Sequence, residues 1–341
     1  MIEERERAQI RLAHIRTVKP ILNALRTISL GSWRMALNRS KNVRRYGEQV
    51  TAILPLVASH LPAKGRTRLA EELVGDHHLT PSVPAKREER GPGLVGRFTK
   101  RFVSSVEEEE LEQRQVVTLV VGSERGLCGR FNVTVVERAE QHLADQEAAG
   151  AQVELAVLGT RVQRIFRRRK RAPDWSGQLS VAGLPSSALA FDLTRQWLAR
   201  YEGGELDAVD LVYNAYRGLG RYEPTATRLI PPCFPELEQS SGDAQDEPWP
   251  PPIIETDPSS LYARAVEQWA AVSLYGLLLD SATAEHSARY QLMEAASQNA
   301  DRLIEELTLT IQTARQQEIT REMQELTVGA GLIGPRDRGV Q

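Results

Sequence analysis

One stretch constrains this chain more than any other. From Ser259 to Ile333 there is no proline, and only Gly276, Gly329 and Gly331 interrupt residues that favour helix. Helical to about Val328, this stretch would reach roughly 100 Å at 1.5 Å per residue, far beyond one small domain. Pro258 stands just before it, with Ser259 or Ser260 positioned to cap the first turn. Apolar or small residues recur at steps of three and four, through Val272, Tyr275, Leu279 and Ala282 and again through Met293, Ala296, Ala300, Leu303 and Leu307. That spacing places a seam on one helix face. A helix of this length cannot bury its own seam, so the sequence requires a partner for it.

Residues 1–60 offer one. Val18, Ile21, Leu25, Ile28, Ser32 and Met35 form a second seam at steps of three and four, with Arg26, Arg34, Arg39 and Arg44 among the positions between. Pro20 interrupts this helix, and an interior proline costs about 3 kcal/mol. The expectation is a helix that starts near Pro20 or kinks there, with Gly31 as a further weak point. Two long helices at opposite ends of one chain, each with a seam, predict an antiparallel coiled coil.

The middle of the chain reads differently. Residues 61–114 mix proline, glycine and charge without sustained periodicity and read as a loop or mobile insert, within which Leu94 to Gln113 has the pattern of a short amphipathic helix. Gln115–Val121 is a β-branched apolar run, the pattern of a buried strand. After it the pattern alternates: a helix from Val133, a strand at Val153–Gly159, a helix at Thr160–Arg168 and a strand near Gln178–Val181. A helix near Ser186–Leu206 and strands at Ala208–Tyr216 and Thr225–Pro232 complete it. Strand alternating with helix predicts an α/β fold with an open, Rossmann-like sheet. The expected divisions are therefore a helix at 1–60, an insert at 61–114, an α/β domain at 115–235, an acidic and proline-rich linker at 236–258 and a helix at 259–330.

Composition excludes several classes of function. Charged residues make up 26% and hydrophobic residues 41% of the chain, as in a soluble folded protein. No run of about 18 apolar residues occurs, so no membrane-spanning helix is expected. The first residues, MIEERERAQIRLAHIR, lack an apolar core, so no secretory signal is expected. The two cysteines, Cys128 and Cys233, supply neither a disulfide framework nor zinc spacing, and a reducing compartment is the default. His77 and His78 lack nearby ligand partners, so no metal is expected. A formal net charge of −2 does not favour nucleic acid. Charge is nevertheless segregated, basic at Arg161 to Arg171 and acidic at Glu107 to Glu110.

The glycine-rich segment GSERGLCGRFN, Gly122 to Asn132, follows a strand and precedes a helix, as a phosphate cradle would. Its glycines, Gly122, Gly126 and Gly129, do not have the dinucleotide spacing, and no lysine followed by serine or threonine completes a P-loop. Gly159 stands where a ribose-binding acid would close the second strand. Cys128 has no histidine–aspartate pattern nearby to activate it. No catalytic residue and no cofactor are assigned, and an α/β nucleotide-binding enzyme with helical arms remains the alternative from this segment.

A resemblance sharpens the reading. The segment AEHSARYQLMEAASQNADRLIEELTLTIQTARQQEITREMQEL, Ala284 to Leu326, is similar to the last helix of the gamma subunits of F-type ATP synthases, through residues that include Glu285, His286, Arg289, Asn299, Arg315, Gln316 and Thr320. SERGLCGRFN resembles that family's S-D-R-G-L-C-G-x-F-N, with Glu124 in place of the aspartate and Arg130 in place of a small residue. GTRVQRIFRRRKR, DLVYNAY and PTATRLIPP match further blocks, and NALRTISLGSWRMALNR is a divergent version of the first helix. The resemblance implies a non-catalytic rotor shaft whose terminal helices wind together. It implies alpha, beta and epsilon subunits and a ring of c subunits as partners, and a peripheral place on the cytoplasmic face of the bacterial membrane. It implies beta-subunit contacts at Arg26, Arg315, Gln316 and Thr320, and a structural turn at Gly126, Cys128, Gly129 and Asn132. A gamma-like paralogue that does not couple proton flow stays open, because Pro20, the first helix and the 61–114 insert depart from the family pattern.

Overall fold

The computed structural model describes residues 2–58, 60–61, 114–180, 184–231 and 254–329. Its elements are α1 (Ile2–Ala58), β1 (Gln115–Val121), α2 (Phe131–Ala148), β2 (Gln152–Leu158), α3 (Thr160–Arg168), β3 (Trp175–Gly177), α4 (Ser187–Glu202), β4 (Ala208–Gly218), β5 (Arg221–Ile230) and α5 (Pro258–Gly329). The amphipathic segment at 94–113, His77, His78, Cys233 and almost all of the expected insert and linker lie outside the described residues.

Helix α5 is 72 residues long, or roughly 110 Å at 1.5 Å per residue. Its cap is neither Ser259 nor Ser260. The Asp257 carboxylate accepts from Ser260 N and from Ser260 Oγ, both at 2.9 Å, and Pro258 occupies the first helical position. A carboxylate accepts the free amides of the first turn and also complements the helix dipole, and proline at this position forfeits no helical bond.

Helix α1 runs antiparallel to α5. Arg5 pairs with Glu318 and Lys19 with Asp301. Asn23 accepts from Ser297 at 2.9 Å, Arg26 donates to Glu294 at 2.9 Å, and the Tyr46 hydroxyl accepts from Gln268 at 3.2 Å. As the α1 number climbs from 5 to 46, its partner falls from 318 to 268. The helix begins at Ile2 and continues through Pro20, rather than starting there. Pro20 and Arg16, whose carbonyl the ring deprives of a donor, are both exposed, so water can satisfy that carbonyl.

The seam on α1 is not the expected one. Val18, Ile21, Ile28 and Met35 are 48%, 57%, 56% and 55% exposed, and so face outward. The buried frame lies one residue on: Ala8, Leu12, Ser29, Ala36, Val50, Leu54 and Val57 are buried, and half-buried Ile15, Lys19, Leu22, Arg26, Trp33, Ser40, Val43 and Gly47 complete an unbroken alternation of four and three. Both frames satisfy the same spacing. Small Ser29, Ala36 and Gly47 let the helices approach closely, so the inner frame is the one with fewer large side chains. On α5 the expected seam holds through Ala300, then passes to Ile304, leaving Leu303 38% exposed.

The sheet has the order β3-β2-β1-β4-β5. Its first four strands are parallel, and β5 returns antiparallel to β4. β1 is central and buried on both faces. Val117, Leu119 and Val121 share a core with Trp197 and Tyr201 of α4 and with Tyr262, Leu274 and Leu278 of α5. Val120 and Val212 point the other way, into Val135, Val136 and Leu143 of α2 and Val162 and Phe166 of α3. The result is three layers: α1, α5 and α4; the sheet; α2 and α3. β3 is shorter and earlier than expected, because Leu179 N is drawn out of the ladder to Glu124 Oε1 at 2.6 Å.

Helix α5 crosses the sheet from one end of the strands to the other. Tyr262 lies near Glu202, at the ends where the parallel strands begin. Leu292 abuts Gly129 and Gln291 abuts Gly220, where strands finish. Past Leu292, among the described residues, the side-chain bonds of α5 to other elements go to α1 alone.

Candidate functional site

The turn after β1 is wired internally. Gly122 N donates to Leu158 O at 2.8 Å. Ser123 N donates to Asn132 Oδ1 at 2.9 Å, and Asn132 Nδ2 donates to Ser123 Oγ at 2.8 Å and to Cys128 Sγ at 3.4 Å. Ser123 Oγ donates in turn to Arg125 O at 2.7 Å. Gly129 has φ +63, a conformation that favours glycine, and it packs against the end of the Leu292 side chain of α5. Amides at 122 and 123, which a phosphate cradle would leave open, already have protein acceptors. Glu124 turns away from the loop: it accepts from Thr160 N at 3.3 Å and from the Thr160 hydroxyl, fastening the turn to the start of α3.

A single side chain of α5 closes over this turn. Arg289, 6% exposed, donates from Nε to Gly126 O at 3.1 Å, from Nη2 to Arg125 O at 3.2 Å and to Glu285 Oε1 at 2.5 Å. Its Nη1 donates to His286 Nδ1 at 3.2 Å, which makes that nitrogen an acceptor and the imidazole neutral. Burial and the positive charges of Arg289 and Arg125 hold the His286 pKa down at about 4. Burial pushes the Glu285 carboxyl up, and Arg289 opposes it. The Cys128 thiol is also pushed up, by burial and by Glu285, so it is a packing group with no thiolate character. Beside the clamp lies a cavity of ≈ 380 Å³, bounded by Leu25, Ile28 and Ser32 of α1, Leu127 of the turn, Arg161 of α3 and the Glu285–Arg289 pair.

Gly126, Cys128, Gly129 and Asn132 thus meet in one place, against α5. The residues matched to beta-subunit contacts lie elsewhere. Arg26 bridges to Glu294 within the helix pair. Arg315, Gln316 and Thr320 are exposed along α5, and the Thr320 hydroxyl donates to Gln316 O at 2.8 Å. Glu285, His286 and Arg289 were visible in the sequence as matched positions without a role; their separation of one to four residues on a helix was the available signal. A second buried charge group gave no signal: Asp210 accepts from Arg228 Nε at 2.9 Å and lies 3.0 Å from His142 Nε2. Burial alone would raise the Asp210 carboxyl, but its bonds to His142 and Arg228 prevail and lower it. The three residues come from three separate elements, so only the fold brings them together. No nucleophile takes part in either group, and among the described residues no set of three or more histidine, cysteine or acidic side chains could hold a metal.

A sequence profile of the ATP synthase family matches residues 5–331, and the chain belongs to that family. Among its members, the ATP synthase gamma chain of Sorangium cellulosum (strain So ce56) is 28% identical over 328 residues, covering 95% of this chain and 97% of that one. The ATP synthase gamma chain of Rubrobacter xylanophilus is 29% identical over 321 residues, covering 94% of each. In overall fold, a chain of the Euglena gracilis mitochondrial ATP synthase rotor matches with a TM-score of 0.53 at 14% identity, over 94% of this chain and all of that one.

Proposed function

We infer that this chain is a gamma chain, the central stalk of an F-type ATP synthase, and that it is a non-catalytic subunit coupling ion flow to ATP synthesis or hydrolysis on its neighbours. The observation that carries the reading is the free rod. Past Leu292, α5 continues for most of its remaining length with, among the described residues, only α1 beside it, so a stiff two-helix shaft projects from a broad α/β base. The unbroken alternation of four and three along α1 is a period of 3.5, which supports a left-handed antiparallel coiled coil. A rod so wound can carry torque between its ends.

In this reading the expected divisions at 1–60, 61–114, 115–235, 236–258 and 259–330 are shaft, insert, Rossmann-like foot, linker and shaft. The foot stands on a ring of c subunits beside an epsilon subunit, at the cytoplasmic face of a bacterial inner membrane. The shaft enters a hexamer of alpha and beta subunits. Arg315, Gln316 and Thr320 supply polar contacts to beta, which exchange readily with water and so do not arrest a turning surface. Arg26 joins them from α1, and the outward-facing Val18 and Ile21, which lie opposite the part of α5 past Leu292, face the same hexamer. Co-purification tests the reading: a tagged chain should bring alpha, beta, epsilon and c subunits with it. Recovery of a free monomer with bound nucleotide would overturn it.

A further inference from the structure

Helix α3 and the turn after it carry more positive charge than the described residues neutralise. Arg169 pairs with Glu140 and Arg171 with Glu147 at 2.5 Å. Arg164, Arg167, Arg168 and Lys170 are exposed, and among the described residues no carboxylate lies within ion-pair distance of any of them. Lys170 has φ 60, the left-handed conformation that ends a helix most cheaply with glycine. Lysine there adds a charge at the expense of backbone comfort.

We propose that this patch is an electrostatic contact for anionic lipid headgroups. The inference rests on the reading of the chain as a shaft standing on a membrane ring. Three features select this partner. The first is direction: α3 leads from the end of β2 back to the start of β3, so its basic end shares the edge of the sheet where Glu202 meets Tyr262 at the beginning of α5. That edge faces away from the free rod, towards the membrane in the shaft reading. The second is shape. The patch sits on the outer layer, on the face of the sheet opposite α1 and α5. Its arginines are exposed along the helix end, as suits a planar, diffuse charge. The third is composition: Phe166 is buried in the core, so the helix offers no aromatic platform for stacked bases, and the chain's net charge is −2. A fluid headgroup layer also tolerates a contact that sweeps sideways as the shaft turns.

The test uses the assembled soluble sector, this chain with its alpha, beta and epsilon subunits, floated with vesicles of phosphatidylcholine alone or with about 30 mol % phosphatidylglycerol. Wild-type sector should partition to the anionic vesicles at about 50 mM salt and be released at about 500 mM. The triple variant Arg164→Gln, Arg167→Gln, Arg168→Gln should hydrolyse ATP normally yet lose about fivefold in partitioning per charge removed, on the order of a hundredfold in all. Removing three charges elsewhere, with Arg195→Gln, Arg217→Gln and Arg221→Gln, should change partitioning little. Equal binding to both vesicle types, an equal loss in both triple variants, or a loss seen only against the c ring in neutral lipid would each overturn the proposal. Failure of the sector to assemble would instead overturn the shaft reading itself.

Discussion

Arg289 of α5 donates from Nε to the main-chain oxygen of Gly126 at 3.1 Å, so one guanidinium ties the long helix to the turn that follows β1. The same group neutralises Glu285 in a nearly water-free setting. Arg289→Met would strand that carboxylate and two carbonyl oxygens, at a cost of about 3–5 kcal/mol. Combining it with Glu285→Gln should recover part of the loss. Denaturant unfolding of the two single variants and the double variant measures the coupling between them. Additive losses would show that the pair is not a unit.

Gly159 is a second strict position, for a different reason. Its φ is +106, and a Cβ there would lie 2.9 Å from the carbonyl carbon of Gly122. Backbone against backbone leaves nothing flexible to yield. Gly159→Ala should cost about 1–3 kcal/mol from strain and a comparable amount from overpacking. Gly150→Ala, also at positive φ but with open space around it, should cost less. The two midpoints in urea give the comparison.

His286 sets an acid limb of the stability profile. Its pKa is held at about 4 in the fold, against 6.5 when unfolded. Between those values the unfolded chain takes up a proton and the folded chain does not. Stability from this group is therefore full above pH 6.5 and declines as pH falls towards 4, by up to about 1.4 kcal/mol per pH unit. Glu285, raised by burial, acts in the opposite sense, since its protonation in acid relieves a buried charge. Thermal unfolding from pH 7 to 4 should show a flatter profile for His286→Gln than for the wild type. Parallel profiles would remove His286 from the account.

The two candidate frames of α1 separate by substitution. Ala36 is fully buried against the partner helix, and Met35 is 55% exposed. Ala36→Leu should overpack the pair and cost about 1–3 kcal/mol. Met35→Ala on the isolated chain should stay within about 0.5 kcal/mol. The reverse order of melting temperatures would restore the outer frame as the seam.

Much of this fold was legible because its signals are long and repetitive. The proline-free run gave α5, and the β-branched run from Gln115 gave the central strand. The errors fall where one pattern admits two solutions. On α1 a frame of large apolar residues competes with a frame containing Ser29, Ala36 and Gly47, and spacing alone favours the larger side chains. Pro20 reads as a boundary in the sequence because neither the helix pair around it nor the open water beside it exists until the chain is folded. β3 was misplaced because a side chain 55 residues away, Glu124, captures the amide of Leu179.

The sequence by itself determined the two long terminal helices, the central strand, the length of the final helix, and the family, since these depend on local periodicity and on residues at fixed spacing. Only the tertiary structure decided which face of α1 is inside, that Arg289 closes over Arg125 and Gly126, and that the basic end of α3 points away from the rod. Those outcomes depend on how closely two backbones approach and on charges far apart in the chain, and neither quantity exists until the layers are packed.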